Sequence, residues 1–557
     1  MKRKKSPPSR ATSHESPVTA EWWRSAVFYE IYVRSFQDSN GDGVGDLPGI
    51  IERLDYLNDG TPRSLGVDAL WLTPINPSPM FDFGYDVSDY RDVDPLFGSL
   101  ADLDRLVAAA HRRNIRIVLD LVPNHSSHLH PWFQASRRAR TDAQRDWYIW
   151  RDPGPDGAPP NNWVSSFGGP AWTLDPTTGQ YYLHSFLAEQ PDLNYRNPAV
   201  VRAMEDVIRF WLDRGIDGFR VDVIHKMIKD AALRDNPRPA PDEEHPIRHY
   251  GSQVHVYDED QPEIHEIIRS WRRILNGYGE RAMVGEVYLF DPPRVAAYYG
   301  NGHDELPLAF NFSFMWSPWD AAAFRAQVDA IESVLPAGAQ PTYVLSSHDA
   351  PRYRTRFDDP LWGEARARVA AMLLLTLRGT PFLYYGEEIG MGDVLIPADR
   401  ICDPVGKRFP AVGRDPERTP MQWSGAPGAG FTTAADSWLP IGPDYATVNV
   451  ARQADDRRSH LSFYRRLIWY RKQAVALTSG AYRPLDGPPD TFVFLREHAD
   501  QRLLIALNFA GEPRRIALPQ FPAGRIEVST DPDRQPEPTA PMGFELLPTE
   551  GVIVALE

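Results

Sequence analysis

The sequence predicts a (β/α)8 barrel carrying a small domain inserted after its third strand and a C-terminal antiparallel β domain. Three observations point there. Across residues 26–388, eight short apolar runs alternate with longer amphipathic ones. Two connections, residues 126–192 and 391–445, are too long and too rich in Pro and Gly for ordinary βα loops. Beyond the last amphipathic segment, apolar and polar positions alternate as in half-buried strands.

The apolar runs lie at residues 27–33, 68–73, 115–122, 218–221, 282–287, 307–312, 342–345 and 382–385. Several are continuously apolar, as parallel strands buried on both faces require. Between them, residues 50–57, 100–113, 198–214, 261–276, 320–335 and 364–378 carry helical periodicity. Strands alternating with helical spacers make a barrel. Residues 21–125 and 193–478 are therefore assigned to the barrel and 126–192 to the inserted domain. A last helix is expected at 459–473. Residues 479–557 form the β domain, with strands at 491–495, 503–508 and 551–556. Residues 1–20 are basic, then Pro/Ser/Thr-rich, without the apolar core of a signal peptide, and read as a disordered tail. No repeat of fixed period is present.

At 557 residues the chain exceeds one ordinary core. With 42% hydrophobic and 24% charged residues it is globular in composition. A net charge of −15 repels phosphate backbones and disfavours nucleic acid as a partner. No apolar stretch is long enough to span a bilayer, so no membrane partner is expected. The single cysteine, Cys402, allows no intrachain disulfide and fits a cytoplasmic location. Oligomeric state is left open between a monomer and a small homo-oligomer.

Active sites of such barrels lie at the C-terminal ends of the strands. There the sequence places Asn124-His125, Arg220-Val221-Asp222, Gly285-Glu286 and Ser347-His348-Asp349. Several carboxylates at one rim repel one another and cost stability, so chemistry is the better reason for them. Cleaving a glycosidic bond with retention takes a nucleophilic carboxylate and a protonated carboxylic acid roughly 5 Å apart. Neighbouring strand ends can supply that spacing. Asp222, beside Arg220, is expected to keep a low pKa and act as nucleophile. Glu286, near two carboxylates, is expected to carry a raised pKa and act as general acid/base. Asp349 would hold substrate hydroxyls.

At these residues the sequence resembles the α-amylase family, glycoside hydrolase family 13. The motifs occur in the family's order: GVDALWLTP at 66–74, DLVPNH at 120–125, QPDLN at 190–194, GFRVD at 218–222, GEV at 285–287, HD at 348–349 and GTPFLYYG at 379–386. QPDLN and GRDPERTPMQW (413–423) resemble the α-glucosidase and oligo-1,6-glucosidase branch. The resemblance implies Asp222 as nucleophile, Glu286 as acid/base and Asp349 as transition-state stabiliser. It implies that Tyr85, Asp86, His125, Arg220, His348, Arg352 and Arg414 bind the glucose ring at the non-reducing end, with Phe167 and Phe186 as aromatic walls. Val223, directly after the nucleophile, is expected to line the pocket. In this branch Val there accompanies α-1,6 preference, and Thr or Ala accompanies α-1,4. Ser347 departs from the family's usual Asn, and residues 58–63 look inserted.

Residues 38–46 place oxygen ligands at Asp38, Asn40, Asp42, the Val44 carbonyl and Asp46. This is like the start of an EF-hand loop, without its closing bidentate Glu. By resemblance to the family, Ca2+ (or Mg2+) is expected here in a structural role. The glycine spacing of this loop could suit a dinucleotide, but the acids around it would repel a pyrophosphate. His125, His128 and His130 lack the spacing of a zinc set. The expected substrate is a small α-glucoside, cleaved by water. Glucosyl transfer or isomerisation, as in trehalose synthase, is the alternative, although the RLDRY-like signature of sucrose isomerases is missing. A binding-only relative would have lost the acids that this chain keeps.

Overall fold

The computed structural model describes residues 21–239, 251–302, 304–517, 523–539 and 543–556. The expected tail at 1–20 lies outside them. Eight barrel strands follow in chain order: β1 (Phe28–Ile31), β2 (Ala69–Leu72), β3 (Arg116–Leu121), β4 (Gly218–Val221), β5 (Ala282–Gly285), β6 (Leu308–Ala309), β7 (Thr342–Val344) and β8 (Thr380–Tyr384). They pair in parallel in the order β7-β8-β1-β2-β3-β4-β5-β6. A parallel bridge from Phe310 to Thr342 closes the ring.

Alternation along each strand sorts its side chains. Phe28, Ala69, Val118, Leu308 and Phe382 meet in an apolar cluster. Phe28 stacks on its register partner Phe382 at 4.3 Å. Two residues further along β1, β2 and β3 stand Glu30, Trp71 and Asp120, and β4 brings Arg220 level with Asp120. The same alternation that fills the barrel thus delivers charge to its C-terminal end. Gly218 allows β4 and β5 to approach, because a Cβ there would lie 2.2 Å from the Ala282 carbonyl oxygen.

The outer helices match the expected periodicity closely, as in Pro198–Asp213, which is capped by Asn197 and buries Met204, Ile208 and Trp211. The segment expected as one helix at 50–57 is two, Leu47–Glu52 and Leu54–Leu57, broken where Arg53 leaves helical geometry. Strand β6 is shorter than expected.

Residues 126–192 contain a helix, Pro131–Arg138, and a three-stranded antiparallel sheet of Trp150–Arg151, Gln180–Leu183 and Trp172–Asp175. The long connection after β4 leans on this domain: Trp163 donates to the Arg234 carbonyl at 2.9 Å, and Asn162 to the Asn236 carbonyl at 2.9 Å. Sequence periodicity did not single out that second lobe. At the C-terminal end, Ala481–Leu485, Thr491–His498, Gln501–Asn508, Gly551–Leu556, Gly524–Ser529 and Glu537–Pro538 form a six-stranded antiparallel sheet. Among the described residues no helix is long and apolar enough to cross a membrane.

Candidate active site

A cavity of about 740 Å³ opens above the C-terminal ends of the strands, and Asp222, Glu286 and Asp349 all line it. Its floor is organised by Arg220. Nη1 donates to Asp120 Oδ1 at 2.9 Å and to Asp222 Oδ1 at 2.8 Å, while Nη2 donates to Glu286 Oε2 at 2.6 Å. Asp120 also accepts from Trp71 Nε1 at 3.2 Å and from the Tyr85 hydroxyl at 3.0 Å.

One guanidinium shared among three carboxylates changes the expected electrostatics. Burial, together with the charges of Glu286, Asp120 and Asp349, pushes the Asp222 carboxyl well above the usual range, against the pull of Arg220. The expectation of a low pKa at Asp222 is thereby corrected. Desolvation outweighs a cation whose charge three anions divide. Burial likewise lifts Asp120 to about 6.

The unused oxygens matter for chemistry. Among the described residues, none donates to Asp222 Oδ2 or to Glu286 Oε1. Glu286 Oε2 takes a second hydrogen bond from the Val223 backbone at 2.9 Å, which fixes the carboxyl through that one oxygen. Val223 lines the cavity as expected, in a left-handed conformation (φ 34°, ψ 44°) uncommon for a β-branched residue.

Asp349 is held differently. Arg418 Nη2 donates to its Oδ1 at 2.6 Å, Arg414 Nη1 reaches the same oxygen at 3.1 Å, and His348 Nε2 lies 3.2 Å from Oδ2. Burial alone would raise this carboxyl; His348, Arg414 and Arg418 hold it well below the usual range. His348 is gripped at its other nitrogen by Glu30 Oε1 at 2.5 Å. Despite burial, Asp349 and Glu30 lift its pKa to about 9, so it is an imidazolium at neutral pH.

The walls complete a pocket. The Tyr85 hydroxyl lies 2.7 Å from His348 Nε2, and the two rings stack at 5.4 Å. His125, pushed down to about 4 by burial and hence neutral, packs on Phe186 at 5.1 Å. Phe186 meets Phe167 edge-on at 5.3 Å, and the Arg414 guanidinium sits 4.8 Å above the Phe167 ring. Arg414 also donates to Asp82 Oδ1 and Asp403 Oδ1, both at 2.7 Å.

Residues 30–480 match the alpha amylase catalytic domain. The chain belongs to the α-amylase family. It is 42% identical over 525 residues to a probable alpha-glucosidase of Rhizobium meliloti (strain 1021), covering 91% of this chain and 92% of that protein. It is 38% identical over 531 residues to the oligo-1,6-glucosidase of Parageobacillus thermoglucosidasius, covering 89% and 92%. The solved structure of the alpha-glucosyl transfer enzyme XgtA superposes with a TM-score of 0.91 at 41% identity, covering 96% of this chain and 99% of that one.

Two residues assigned to the glucose pocket by resemblance to the α-amylase family stand outside its lining. Asp86 is fully buried, and its carboxylate accepts from the Ser78 hydroxyl and from the backbone of Phe81 and Asp82. Arg352 is fully buried between the Tyr384 and Tyr385 rings, donating to the carbonyls of Tyr385 at 2.5 Å and Glu417 at 2.9 Å. Both spend their polar atoms mainly on neighbouring backbone and line no part of the cavity. The cavity instead presents Asp82, four residues before Asp86, while Arg418 reaches Asp349 from four residues after Arg414. Sequence reasoning missed both, although Arg418 lies in the quoted segment GRDPERTPMQW. Asp120 and Glu30, also missed, stand on inward strand positions where only a charged ligand or partner would justify an acid.

On the acidic loop, Asp38 Oδ1 accepts from the backbone of Asn40 and Gly41, Asn40 Oδ1 from Asp42, and Asp42 Oδ1 from Val44. Asp46 Oδ2 accepts from the Ser39 hydroxyl, while Oδ1 caps the helix Leu47–Glu52 through Gly49. Among the described residues, no group of three or more His, Cys, Asp or Glu gathers closely enough to hold a metal. A cation here would depend on the Asn40 amide and the Val44 carbonyl.

Proposed function

We propose that this chain is a retaining, exo-acting α-glucosidase, releasing terminal non-reducing glucose from short oligosaccharides and disaccharides, with α-1,6 links such as isomaltose favoured. The carrying observation is the single Arg220 guanidinium that holds Asp222 and Glu286 side by side. Carboxyls bridged by one arginine suit the roughly 5 Å separation of retaining glycosidases.

In the proposed mechanism Asp222 and Glu286 share one proton, and the reactive form carries it on Glu286: the ionised Asp222 Oδ2 attacks the anomeric carbon as Glu286 Oε1 protonates the leaving oxygen. The C–O bond to the aglycone breaks and a glucosyl ester forms on Asp222. Glu286, now ionised, takes a proton from water, whose oxygen attacks the same carbon and expels Asp222. Asp349, anchored by two arginines and His348, accepts hydroxyl protons whose bonds strengthen at the oxocarbenium-like transition state. Glucose release from isomaltose, maltose, trehalose and sucrose by the pure protein tests this; no release from any of them would refute it.

Glucosyl transfer is the second reading, and the likeness to XgtA favours it. There a sugar or alcohol takes the place of water, and the assay would yield new glucosides in place of free glucose. For the acidic loop we propose a structural Ca2+, with Mg2+ as the alternative. Asp38, Asp42 and Asp46 crowd one short loop without an ion pair to any described cationic side chain. The single cysteine supports a cytoplasmic location.

A further inference from the structure

The turn from Ser78 to Asp86 carries two cavity residues, Asp82 and Tyr85, on an unusual backbone. Met80 (φ 64°) and Phe83 (φ 50°) both occupy the left-handed region, with Gly84 (φ 110°) beside them. Residues with side chains rarely adopt it, so something must hold the turn in shape. The Asp86 carboxylate touches the turn at three points. Oδ1 accepts from the Ser78 hydroxyl at 2.8 Å and from the Asp82 N–H at 3.0 Å, and Oδ2 accepts from the Phe81 N–H at 3.0 Å. Asp86 itself is fully buried and lines no part of the cavity.

We propose that Asp86 is a positioning residue, whose carboxylate folds the Ser78–Asp86 turn so that Asp82 and Tyr85 face the glucose pocket. The effect passes through the Asp82 peptide. Asp82 accepts from Arg414 Nη2 at 2.7 Å and from Gln190 Nε2 at 3.2 Å, and Arg414 in turn reaches Asp349. Tyr85 carries the same register to His348 and Asp120. A carboxylate is required because all three groups donate to it. An asparagine offers one acceptor oxygen and turns an N–H toward a second N–H. The inference deepens the glucosidase reading, from which it takes its assay.

The test compares Asp86→Asn, Asp82→Asn and the double variant of the full chain on isomaltose, with thermal midpoints measured alongside. A displaced pocket residue should lower kcat/KM about 100-fold in Asp86→Asn. The double variant should lose clearly less than the product of the two single losses, because part of the effect of Asp86 passes through Asp82. Losses that multiply, or a lowered midpoint with kcat/KM unchanged, would overturn the proposal. Should Asp86→Asn not fold, Ser78→Ala removes one of the three donors. It should cost several-fold in kcat/KM, and less than that in the Asp82→Asn background. A crystal structure of either variant gives a readout independent of activity: the Asp82–Arg414 contact should open. If that contact persists, the proposal fails even should the protein cleave no glucoside; if the protein cleaves none yet the contact opens, only the glucosidase reading fails.

Discussion

The backbone N–H of Val223 donates to Oε2 of Glu286 at 2.9 Å, so the peptide following the proposed nucleophile steadies the proposed acid. The Val223 side chain projects into the cavity from this strained position. On the proposed α-1,6 reading, its branched bulk would narrow the space beside the leaving group, where an α-1,4-linked ring would lie close and an α-1,6-linked one would swing away. Steric terms of this kind are worth about 1–3 kcal/mol. Wild type should therefore show a higher kcat/KM for isomaltose than for maltose, and Val223→Thr or Val223→Ala should raise maltose activity by roughly tenfold or more. A ratio left unmoved by either substitution removes Val223 from linkage selection.

Asp222→Asn should abolish turnover, lowering kcat by about 10⁴-fold or more, because no covalent intermediate can form. It should not lower the thermal midpoint. The carboxyl it replaces is desolvated and repelled by Glu286, Asp120 and Asp349, so an amide relieves a cost of the folded state. Activity within tenfold of wild type would show that another group attacks.

His348 links the site to pH. Its folded pKa of about 9 stands above the ordinary 6.5, so the folded protein binds this proton more tightly than the unfolded chain. The resulting stability is full below pH 6.5 and is lost as pH rises through about 9. The difference in thermal midpoint between wild type and His348→Gln should shrink across that window. A difference constant from pH 6 to pH 9.5 would mean that the Glu30 and Asp349 contacts do not hold an imidazolium.

Much of this was legible in the sequence because buried parallel strands are apolar runs and outer helices are periodic. The strand ends at Asp222, Glu286 and Asp349 followed from that alone. What was not legible depends on turns. Asp82 and Asp86 are both acids in one short segment, and which of them faces the cavity is decided by left-handed residues at Met80 and Phe83 that composition does not announce. Arg352 and Arg418 pose the same problem: each follows a motif acid or arginine closely, and only packing shows that Arg352 is walled in by Tyr384 and Tyr385. The raised Asp222 carboxyl was not legible because its largest cause, burial, and the sharing of Arg220 with Asp120 and Glu286 are both set by packing.

Exhaustive chelation should lower the thermal midpoint while leaving room-temperature activity nearly intact, because the Asp38–Asp46 loop caps a helix and does not line the cavity. A ligand that binds only the folded state stabilises it by mass action. An unchanged midpoint, with no metal found by elemental analysis, would count against the ion.

The central claim is that Asp222 and Glu286 act on opposite sides of one anomeric carbon, in two displacements through a covalent glucosyl ester. Two inversions restore the starting configuration. Following the anomeric proton by NMR in the first minutes of isomaltose hydrolysis reads this directly. Free α-glucose should appear first, with the β-anomer growing in only by mutarotation, whereas β-glucose as the first product would contradict the account.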